Sequence, residues 1–408
     1  MIDAYAAVRG ATEALAAPLS SEDQTLQSMP DASPTKWHRA HTTWFFETFL
    51  LQPHARDYRV FDPRFGYLFN SYYEAVGPRH ARPARGMLSR PGVDEIAAYR
   101  AHVDAAMTDL IDALGDDAHA ALAPLIALGL NLEQQHQQLL LTDIKHAFSR
   151  NPIRPVYREA RLRRAKAIPA LGWLDVPGGA HEIGHRDGGF CFDNETPPHS
   201  VLLQPFRIAD RPVSVGEYRA FIEDGGYKRA EFWLSDGWAA VQAEDWRAPF
   251  YWEPTPEGNW QVYTLAGQRT PMPDEPVCHV SYYEADAYAT WAGKRLPTEF
   301  EYEAARRRHG GELDGERVVR PHPAPLGGGD AFDQDVWEWT ASAYLPYPGF
   351  RIAAGAIGEY NGKFMVNQMV LRGRSCATPP GHERSTYRNF FPAAARWQFS
   401  GIRLAEDA

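Results

Sequence analysis

Two histidines in the first third of the chain could carry metal chemistry. His41 falls on the apolar face of one predicted helix, and His136 lies in the segment LEQQH of a later one. Imidazoles on the inner faces of bundle helices can hold iron for reactions with oxygen, which need fixed ligands and open positions for the reactants. The same pattern is also typical of hydrogen-bonded core histidines. At this point both interpretations stay open.

Position 132 bears on a further interpretation of this segment. A histidine there would complete the sequence His-Glu-x-x-His, which is typical of zinc proteases, but the chain has Leu132. The protease interpretation therefore lacks its first ligand. Leu132 shares a helix face with Leu128, His136 and Leu139, so core packing also explains it.

A predicted helical bundle positions these histidines. Its four helices cover 2–19, 33–51, 93–114 and 123–148. The second begins at Ser33-Pro34, with serine as the N-cap and proline at the first helical position, and Pro124 is tolerated in the first turn of the fourth. Residues 66–92, rich in Gly, Pro and Arg, predict a long crossover without regular structure. One long crossover between four helices is typical of bundles that hold metals.

The pattern changes after the fourth helix. We interpret 1–150 as one domain, the basic, proline-bearing residues 151–170 as a linker, and 171–408 as a second domain. The second domain combines short runs divided by Gly and Pro with two predicted helices, 282–293 and 298–308. The fold class is therefore α+β.

Composition excludes several classes of protein. The net charge of -10 argues against nucleic acid as a partner, and 408 residues are too many for one ordinary core. The sequence contains no apolar run long enough for a membrane helix and begins without the features of a signal peptide. Its three cysteines are too widely spaced for a disulfide framework or a cysteine zinc site. We expect a cytoplasmic enzyme.

Six segments, in order along nearly the whole chain, closely resemble the ergothioneine-biosynthesis sulfoxide synthases and their relatives, the selenoneine synthases. They are SPTKWHRAHTTWFFETFLL, LFNSYYEAVGPRHARPARGMLSRP, EQQHQQLLLTDIKH, PVCHVSYYEADAYATWAGKRLPTEFEYEAA, VWEWTAS and YRNFFPAAARWQFSGIRLA. The resemblance implies a DinB-like four-helix bundle with iron ligands and a domain like formylglycine-generating enzyme (C-type-lectin-like). That second domain completes the substrate pocket, with iron between the two.

The resemblance also implies an activity. With Fe(II) as cofactor and O2 as co-substrate, the family joins a chalcogen donor to the imidazole C2 of hercynine, the trimethylated betaine of histidine. The donor is the sulfur of cysteine or gamma-glutamylcysteine, or the selenium of a selenosugar. The implied partners are thus hercynine and a thiol or selenol, in ergothioneine or selenoneine biosynthesis.

Carried over by position, the resemblance assigns His41 and His136 as iron ligands. The family has a further histidine where this chain has Leu132, and an acidic residue where it has Gln138. The nearest candidate for a third ligand is His38, one turn before His41.

Substrate groups follow from the same resemblance. Gln135 matches a residue that hydrogen-bonds the bound imidazole, and Asn389 with Phe390 matches a substrate-binding pair. Aromatic faces suit a quaternary ammonium, which has no hydrogen-bond donor to offer. Phe391 stands where some members have an acidic residue. Core packing is the alternative for both phenylalanines.

A tyrosine near the iron acts as a proton donor in the family. Tyr344 and Tyr347 are the best-matched candidates, and Tyr72 and Tyr73 are weaker ones. The alternative for either pair is ordinary loop surface.

Arginines are candidates for binding the donor. Arg82 and Arg85, in a series with Arg79, match positions that bind the carboxylates of a thiol donor, and a guanidinium grips a carboxylate through two hydrogen bonds. A solvated basic loop is the alternative. Arg374 stands where the family commonly has glycine, near the expected cleft, and is a candidate for contacting the donor.

Two other functions stay open. Leu132 also suits a metal-free hercynine-binding protein or an inactive homologue. A formylglycine-generating oxidase is a distant alternative, because that chemistry relies on paired copper-binding cysteines and Cys376 has no cysteine near it in sequence.

Overall fold

The computed structural model describes residues 1–160, 167–186, 188–311, 318–326, 332, 334–354, 358 and 361–408. These residues form two compact units. The first contains Met1–Tyr157 and the described residues of Ile352–Tyr360, and the second contains Arg158–Arg351 and Asn361–Ala408. Within the described ranges, no helix combines the length and apolarity needed to cross a membrane.

The first unit is a helical bundle, as the sequence predicted. Its helices are α1 (Ile2–Ala16), α2 (Thr35–Phe46), α3 (Gln52–His54), α4 (Phe65–Phe69), α5 (Val93–Ala113) and α6 (Asp116–Arg150). Helix α2 packs against α1, α5 and α6, and all of its residues are buried. A π-helical turn, Glu47–Leu51, connects α2 to α3. Because α2 is central, side chains on several of its faces point into the protein.

The start of α2 differs from the prediction. Pro34 is the N-cap and the Ser33 side chain does not cap the helix, so the predicted serine N-cap is wrong. The Ser33 hydroxyl accepts a hydrogen bond from Arg85 Nη1 at 2.9 Å, and the Ser33 backbone N–H donates to Asp143 Oδ2 at 2.8 Å. Tertiary contacts therefore replace the local cap.

Two further expectations for this unit are wrong. Helix α6 begins at Asp116 and not near residue 123, so Pro124 lies inside the helix and not in its first turn. Asp116 and Asp117 stabilise the early start, since carboxylates interact favourably with the positive end of a helix. The crossover also contains regular structure, namely α4 and a 3₁₀ turn, Arg82–Met87.

The second unit combines small sheets with helices, which confirms the α+β class. Its strands are β1 (Trp173–Val176), β2 (Gly179–Ile183), β3 (His199–Leu203), β4 (Phe206–Ala209), β5 (Trp252–Pro254), β6 (Trp260–Thr264), β7 (Gly267–Arg269), β8 (Trp337–Ala343), β9 (Met369–Gly373), β10 (Asn389–Phe391), β11 (Ser400–Gly401) and β12 (Ala405–Asp407). The described sheets have the strand orders β1-β4-β12, β10-β9-β8-β11, β2-β3 and β5-β6-β7. In the second of these, β8 pairs with β9 antiparallel and with β11 parallel.

Four helices accompany these sheets in the described residues: α7 (Val215–Glu223), α8 (Ser235–Glu244), α9 (Tyr282–Trp291) and α10 (Glu299–His309). Ser281 and Thr298 cap α9 and α10 through capping boxes, in which side chain and backbone satisfy each other's hydrogen bonds. The wholly buried Arg403 side chain, just after β11, pairs with Glu338 of β8, with Nη2 at 2.8 Å from Oε1.

Candidate functional site

The structure brings His41 and His136 together inside the first unit. His41 lies on α2 and is fully buried, His136 lies on α6 and is 8% exposed, and their ring centroids are 4.7 Å apart. Metal–imidazole bonds are about 2 Å long, so rings at this separation lie within reach of one ion. The helical periodicity that placed both residues on inner faces thus led to a real cluster.

The packing of α2 on α6 explains this proximity. A Cβ atom at Gly129 would lie 2.7 Å from the Phe46 ring and 2.9 Å from the Phe45 ring, so this side of α6 contacts α2 closely. Leu132 and His136 follow three and seven residues later, on the same face. Leu132 is fully buried and offers only carbon atoms.

Hydrogen bonding defines which nitrogen of His41 is available. Its Nδ1 lies 2.6 Å from the Phe69 carbonyl oxygen, which can only accept, so Nδ1 carries the hydrogen. Its Nε2 is buried and has no hydrogen-bond partner among the described residues. Burial lowers the pKa of His41 to about 3, and the ring is therefore neutral with a lone pair on Nε2. Metal-binding histidines are commonly oriented through their second nitrogen in this way.

His38 has both ring nitrogens engaged by protein groups. Nε2 lies 3.0 Å from Asp143 Oδ2, and Nδ1 lies 2.9 Å from His136 Nδ1. His38 therefore contacts His136 at the Nδ1 atom. Because both of its own nitrogens are engaged, His38 does not offer a free nitrogen as a third ligand. Burial, followed by the nearby His41 and His38 rings and then Arg85, lowers the pKa of His136, so this ring too is neutral.

Aromatic rings enclose His41. It stacks on Trp37 at 4.7 Å and on Trp44 at 5.6 Å between centroids, with both pairs within 16° of parallel. The Arg85 guanidinium carbon lies 3.3 Å from the centroid of a Trp37 ring, a cation–π contact. These rings restrict the motion of His41 and shield it from solvent.

The three crossover arginines have different environments. Arg79 and Arg82 are exposed, and they bind the backbone carbonyls of Ser71 and Asp31. Arg85 is buried, with hydrogen bonds to the hydroxyls of Ser33 and Ser71. The alternative that these arginines form a solvated basic loop is therefore wrong for Arg85, whereas the exposed Arg79 and Arg82 agree with it.

Arg85 has unused capacity for binding an anion. Its Nε has no partner among the described residues, and its hydrogen-bonded partners are neutral hydroxyls. Burial and then Arg82 lower the pKa of the Arg85 guanidinium, since both penalise its positive charge. A bound carboxylate would offset that penalty.

The two tyrosine pairs lie in different units. Tyr72 and Tyr73 of the crossover stack at 4.6 Å, and Tyr73 is fully buried while Tyr72 is half-buried. In the second unit Tyr344 and Tyr347 are both buried, so the loop-surface alternative is wrong for them. Burial raises the pKa of both, which keeps these phenols protonated.

The partners of the second pair are defined. Tyr344 stacks on Phe390 at 4.1 Å, and its hydroxyl accepts a hydrogen bond from Asn194 Nδ2 at 2.8 Å. The Tyr347 hydroxyl donates to Glu299 Oε2 at 3.3 Å.

Strand β10 carries the predicted substrate pair. Asn389, Phe390 and Phe391 are all half-buried, so neither phenylalanine is a fully enclosed core residue. The Asn389 side-chain oxygen accepts from the Phe390 backbone N–H at 2.9 Å, which leaves its amide nitrogen to other partners.

Two further predicted contact residues, Arg374 and Gln135, belong to different units. Arg374 is buried and paired with Glu383 at 3.2 Å, which gives it a structural role within the second unit. Gln135 is half-buried on α6 beside His136. Gln138 is buried on the same helix.

Asp143 is a site residue that the sequence analysis missed. It lies on α6 seven residues after His136 and is 5% exposed. Two helical turns separate the two residues, so the spacing was the available signal. Glu133 instead faces away from the histidines and pairs with Arg9 and Arg100 at 2.8 and 3.0 Å.

The donor set bears on metal binding. Over the described ranges, no three His, Cys, Asp or Glu side chains are grouped to hold a metal. The two neutral imidazoles nevertheless fit a divalent transition metal, because the buried Nε2 of His41 lacks a hydrogen-bond partner there and the His41 and His136 ring centroids are 4.7 Å apart. His41 and His136 are thus the residues that would hold such an ion.

The matches to known families agree with this two-unit architecture. Residues 4–141 match the DinB superfamily, and residues 160–320 match the sulfatase-modifying factor enzyme 1-like domain. A helical unit of the first kind, followed by an α+β unit of the second, defines the class of protein.

Similarity over the full length identifies the family. The chain is 32% identical to the hercynine oxygenase of Mycolicibacterium smegmatis, covering 93% of this chain and 92% of the relative. It is also 32% identical to the hercynine oxygenase of Mycobacterium tuberculosis, with the same coverage of both chains. The chain belongs to the hercynine oxygenase family.

A second group of relatives matches in part. The formylglycine-generating enzyme of Thermomonospora curvata is 38% identical over 38% of this chain and 54% of its own length. That similarity covers less than half of this chain and about half of the relative.

Proposed function

We propose that this chain is an O2-dependent, non-haem iron enzyme that joins a chalcogen donor to the imidazole C2 of hercynine. The observation that carries the proposal is the buried His41–His136 pair, 4.7 Å between ring centroids, in a member of the hercynine oxygenase family. In this proposal His41 and His136 hold the iron through their Nε2 atoms. When bound, iron supplies the one-electron chemistry that lets O2 oxidise the two substrates.

Arg85 is the proposed anchor for the donor. It is a buried guanidinium with an unpartnered Nε among the described residues, and its side chain donates to the hydroxyls of Ser33 and Ser71. A donor carboxylate would complete these hydrogen bonds and neutralise the charge. This supports cysteine or gamma-glutamylcysteine as the donor, with Arg79 and Arg82 as weaker, exposed contacts.

In the second unit, we assign the betaine to the half-buried Asn389, Phe390 and Phe391. Aromatic faces attract a trimethylammonium group, and an amide can bind the imidazole or the carboxylate. Tyr344 is our preferred proton donor, because its oxygen accepts from Asn194, whereas the Tyr347 hydroxyl donates to Glu299. Tyr72 and Tyr73 are second candidates, and Gln135 is a candidate contact for the substrate imidazole.

A metal-free hercynine-binding protein is the second candidate function. Leu132 favours it, because it removes a protein nitrogen from the face of α6 that carries His136. A formylglycine-generating oxidase has less support, since the matching relative covers only 38% of this chain, and Cys278 and Cys376 are buried and form no disulfide.

The decisive experiment mixes anaerobically iron-loaded protein with hercynine and, in parallel, cysteine, gamma-glutamylcysteine or 1-selenoglucose. Oxygen is then admitted and products are identified by mass. We expect a product with sulfur or selenium at C2 in one arm, together with about one iron per chain. Iron at that level with no product in any arm would contradict the proposal. Hercynine binding without retained iron would instead support the binding protein.

A further inference from the structure

A chain of three hydrogen-bonded side chains leads from α6 back to His136. The Ser33 backbone N–H donates to Asp143 Oδ2 at 2.8 Å, and the same oxygen lies 3.0 Å from His38 Nε2. His38 Nδ1 then lies 2.9 Å from His136 Nδ1. Asp143, His38 and His136 are 5%, 3% and 8% exposed, so water does not compete strongly for these contacts.

The donor and acceptor roles of these groups determine the direction of each hydrogen bond. A backbone N–H can only donate, so Asp143 Oδ2 is the acceptor from Ser33, and the same oxygen accepts from His38. With one hydrogen on each ring, His38 carries its hydrogen on Nε2 and presents a lone pair on Nδ1. The neutral His136 ring must supply the hydrogen between the two Nδ1 atoms, which leaves its lone pair on Nε2.

We propose that Asp143 and His38 are positioning residues that hold His136 in the tautomer whose Nε2 is free to bind a metal. The Phe69 carbonyl does the same for His41 from the other side, since it fixes the hydrogen on Nδ1 at 2.6 Å. The inference rests on the proposed function for its purpose. It also assigns His38 a supporting role in place of the third-ligand role considered from the sequence.

Fixing the tautomer matters more here because Leu132 supplies no nitrogen. With two protein ligands, each misdirected ring removes half of the protein's donor set. Residues that orient a metal-binding histidine typically change metal affinity by about 10- to 100-fold when they are replaced.

The first test reads the tautomer directly in the metal-free protein. Long-range ¹⁵N–¹H spectra of the full chain, labelled at its 15 histidines, distinguish Nδ1–H from Nε2–H, and the His136→Gln variant identifies the His136 signals by their loss. We expect Nδ1–H in His136 and Nε2–H in His38. A hydrogen on Nε2 of His136 would overturn the proposal.

The second test interrupts the hydrogen-bonded series Asp143–His38–His136, the relay, by replacing His38. It measures Co²⁺ affinity by titrating the visible absorption of the ion. His38→Phe keeps a ring but removes the acceptor for His136, and we expect a 10- to 100-fold loss of Co²⁺ affinity. His146→Phe is the matched control, because His146 is a buried histidine of α6 that contacts Ser28 and not His136. It should retain wild-type affinity. Equal affinities in the two variants would contradict the relay.

Asp143→Asn serves as the conservative variant. An amide oxygen at the same position accepts from both Ser33 and His38, so we expect the His136 tautomer to persist and Co²⁺ affinity to stay within a few-fold of wild type. If His38→Phe fails to fold, the spectra of the wild-type protein still decide. Neither test uses hercynine or turnover, so a failed activity assay would contradict the proposed function without touching the relay.

Discussion

At residue 132, an isobutyl group lies on the face of α6 that carries His136 one turn later. Both residues are buried, and this face packs on α2 beside Gly129. The side chain at this position therefore decides whether the protein offers two or three nitrogens from the α2–α6 interface.

Leu132→His should convert the pair into a three-histidine cluster. Histidines four residues apart on a helix can bind one metal together, so we expect Fe²⁺ or Co²⁺ affinity to rise at least about tenfold, the gain given by ~1.4 kcal/mol. Titration of the metal-free variants under anaerobic conditions measures this. The control is Leu141→His, which buries a histidine on the opposite side of α6. An unchanged affinity in Leu132→His would show that position 132 does not face the ion.

His146 shows what a buried histidine outside the cluster does. It bonds to Ser28 through Nδ1, and burial, aided by Arg150, lowers its pKa to about 4. The unfolded chain, where a histidine has its ordinary pKa near 6.5, then binds more protons between pH 6.5 and 4. Stability contributed by the neutral ring is present above pH 6.5 and is lost as the pH falls through this window.

We therefore expect His146→Gln to flatten the acid side of the stability profile. One such histidine contributes a slope of up to about 1.4 kcal/mol per pH unit. Urea unfolding at pH 7, 6 and 5 gives the free energy of unfolding for wild type and variant. The difference between them should shrink as the pH falls, and a difference that stays constant would rule out this linkage.

Among the elements, the spacing of α2 and α6 holds the histidine pair. Gly129 permits this spacing, because an added Cβ would lie within 3 Å of both the Phe45 and Phe46 rings. Side chains this tightly packed cannot move aside without shifting a helix.

Gly129→Ala should therefore both destabilise the first unit and weaken metal binding. Overpacking typically costs about 1–3 kcal/mol, which denaturant unfolding measures as a lower midpoint. Gly10→Ala is the control, since Gly10 lies within α1 and no atom would come within 4 Å of the new Cβ. That variant should be more stable than wild type by about 0.4–1 kcal/mol. Equal stability of both variants would mean that α6 can move away from α2 without cost.

The elements also show how far the sequence alone reaches. Helical periodicity was sufficient to place His41 and His136 on inward faces, and the structure brings them together. It did not reveal the link between Asp143 and His38, because partners across two helices depend on rotation and spacing that neither helix encodes alone. The same reason explains Ser33, whose hydroxyl binds Arg85 from the distant crossover and does not cap α2.

At the scale of the whole molecule, membership of a family and the binding of a metal by this chain are separate properties. Full-length similarity establishes the hercynine oxygenase family, whereas Leu132 and Gln138, both buried on the helix of His136, bear on the chemistry of the proposed metal site. Ligands that bind only the folded state raise its stability in proportion to the logarithm of their concentration, so thermal unfolding reports binding without turnover.

Thermal unfolding should separate an enzyme from a metal-free binding protein. For the proposed enzyme, Co²⁺ alone at 100 times its dissociation constant should stabilise the fold by about 2.7 kcal/mol, and hercynine should raise the midpoint further. His41→Gln should abolish the Co²⁺ shift, because it removes the Nε2 atom that lacks a partner in the described structure. A binding protein would respond to hercynine alone, and identical Co²⁺ shifts in wild type and His41→Gln would place the ion at some other site.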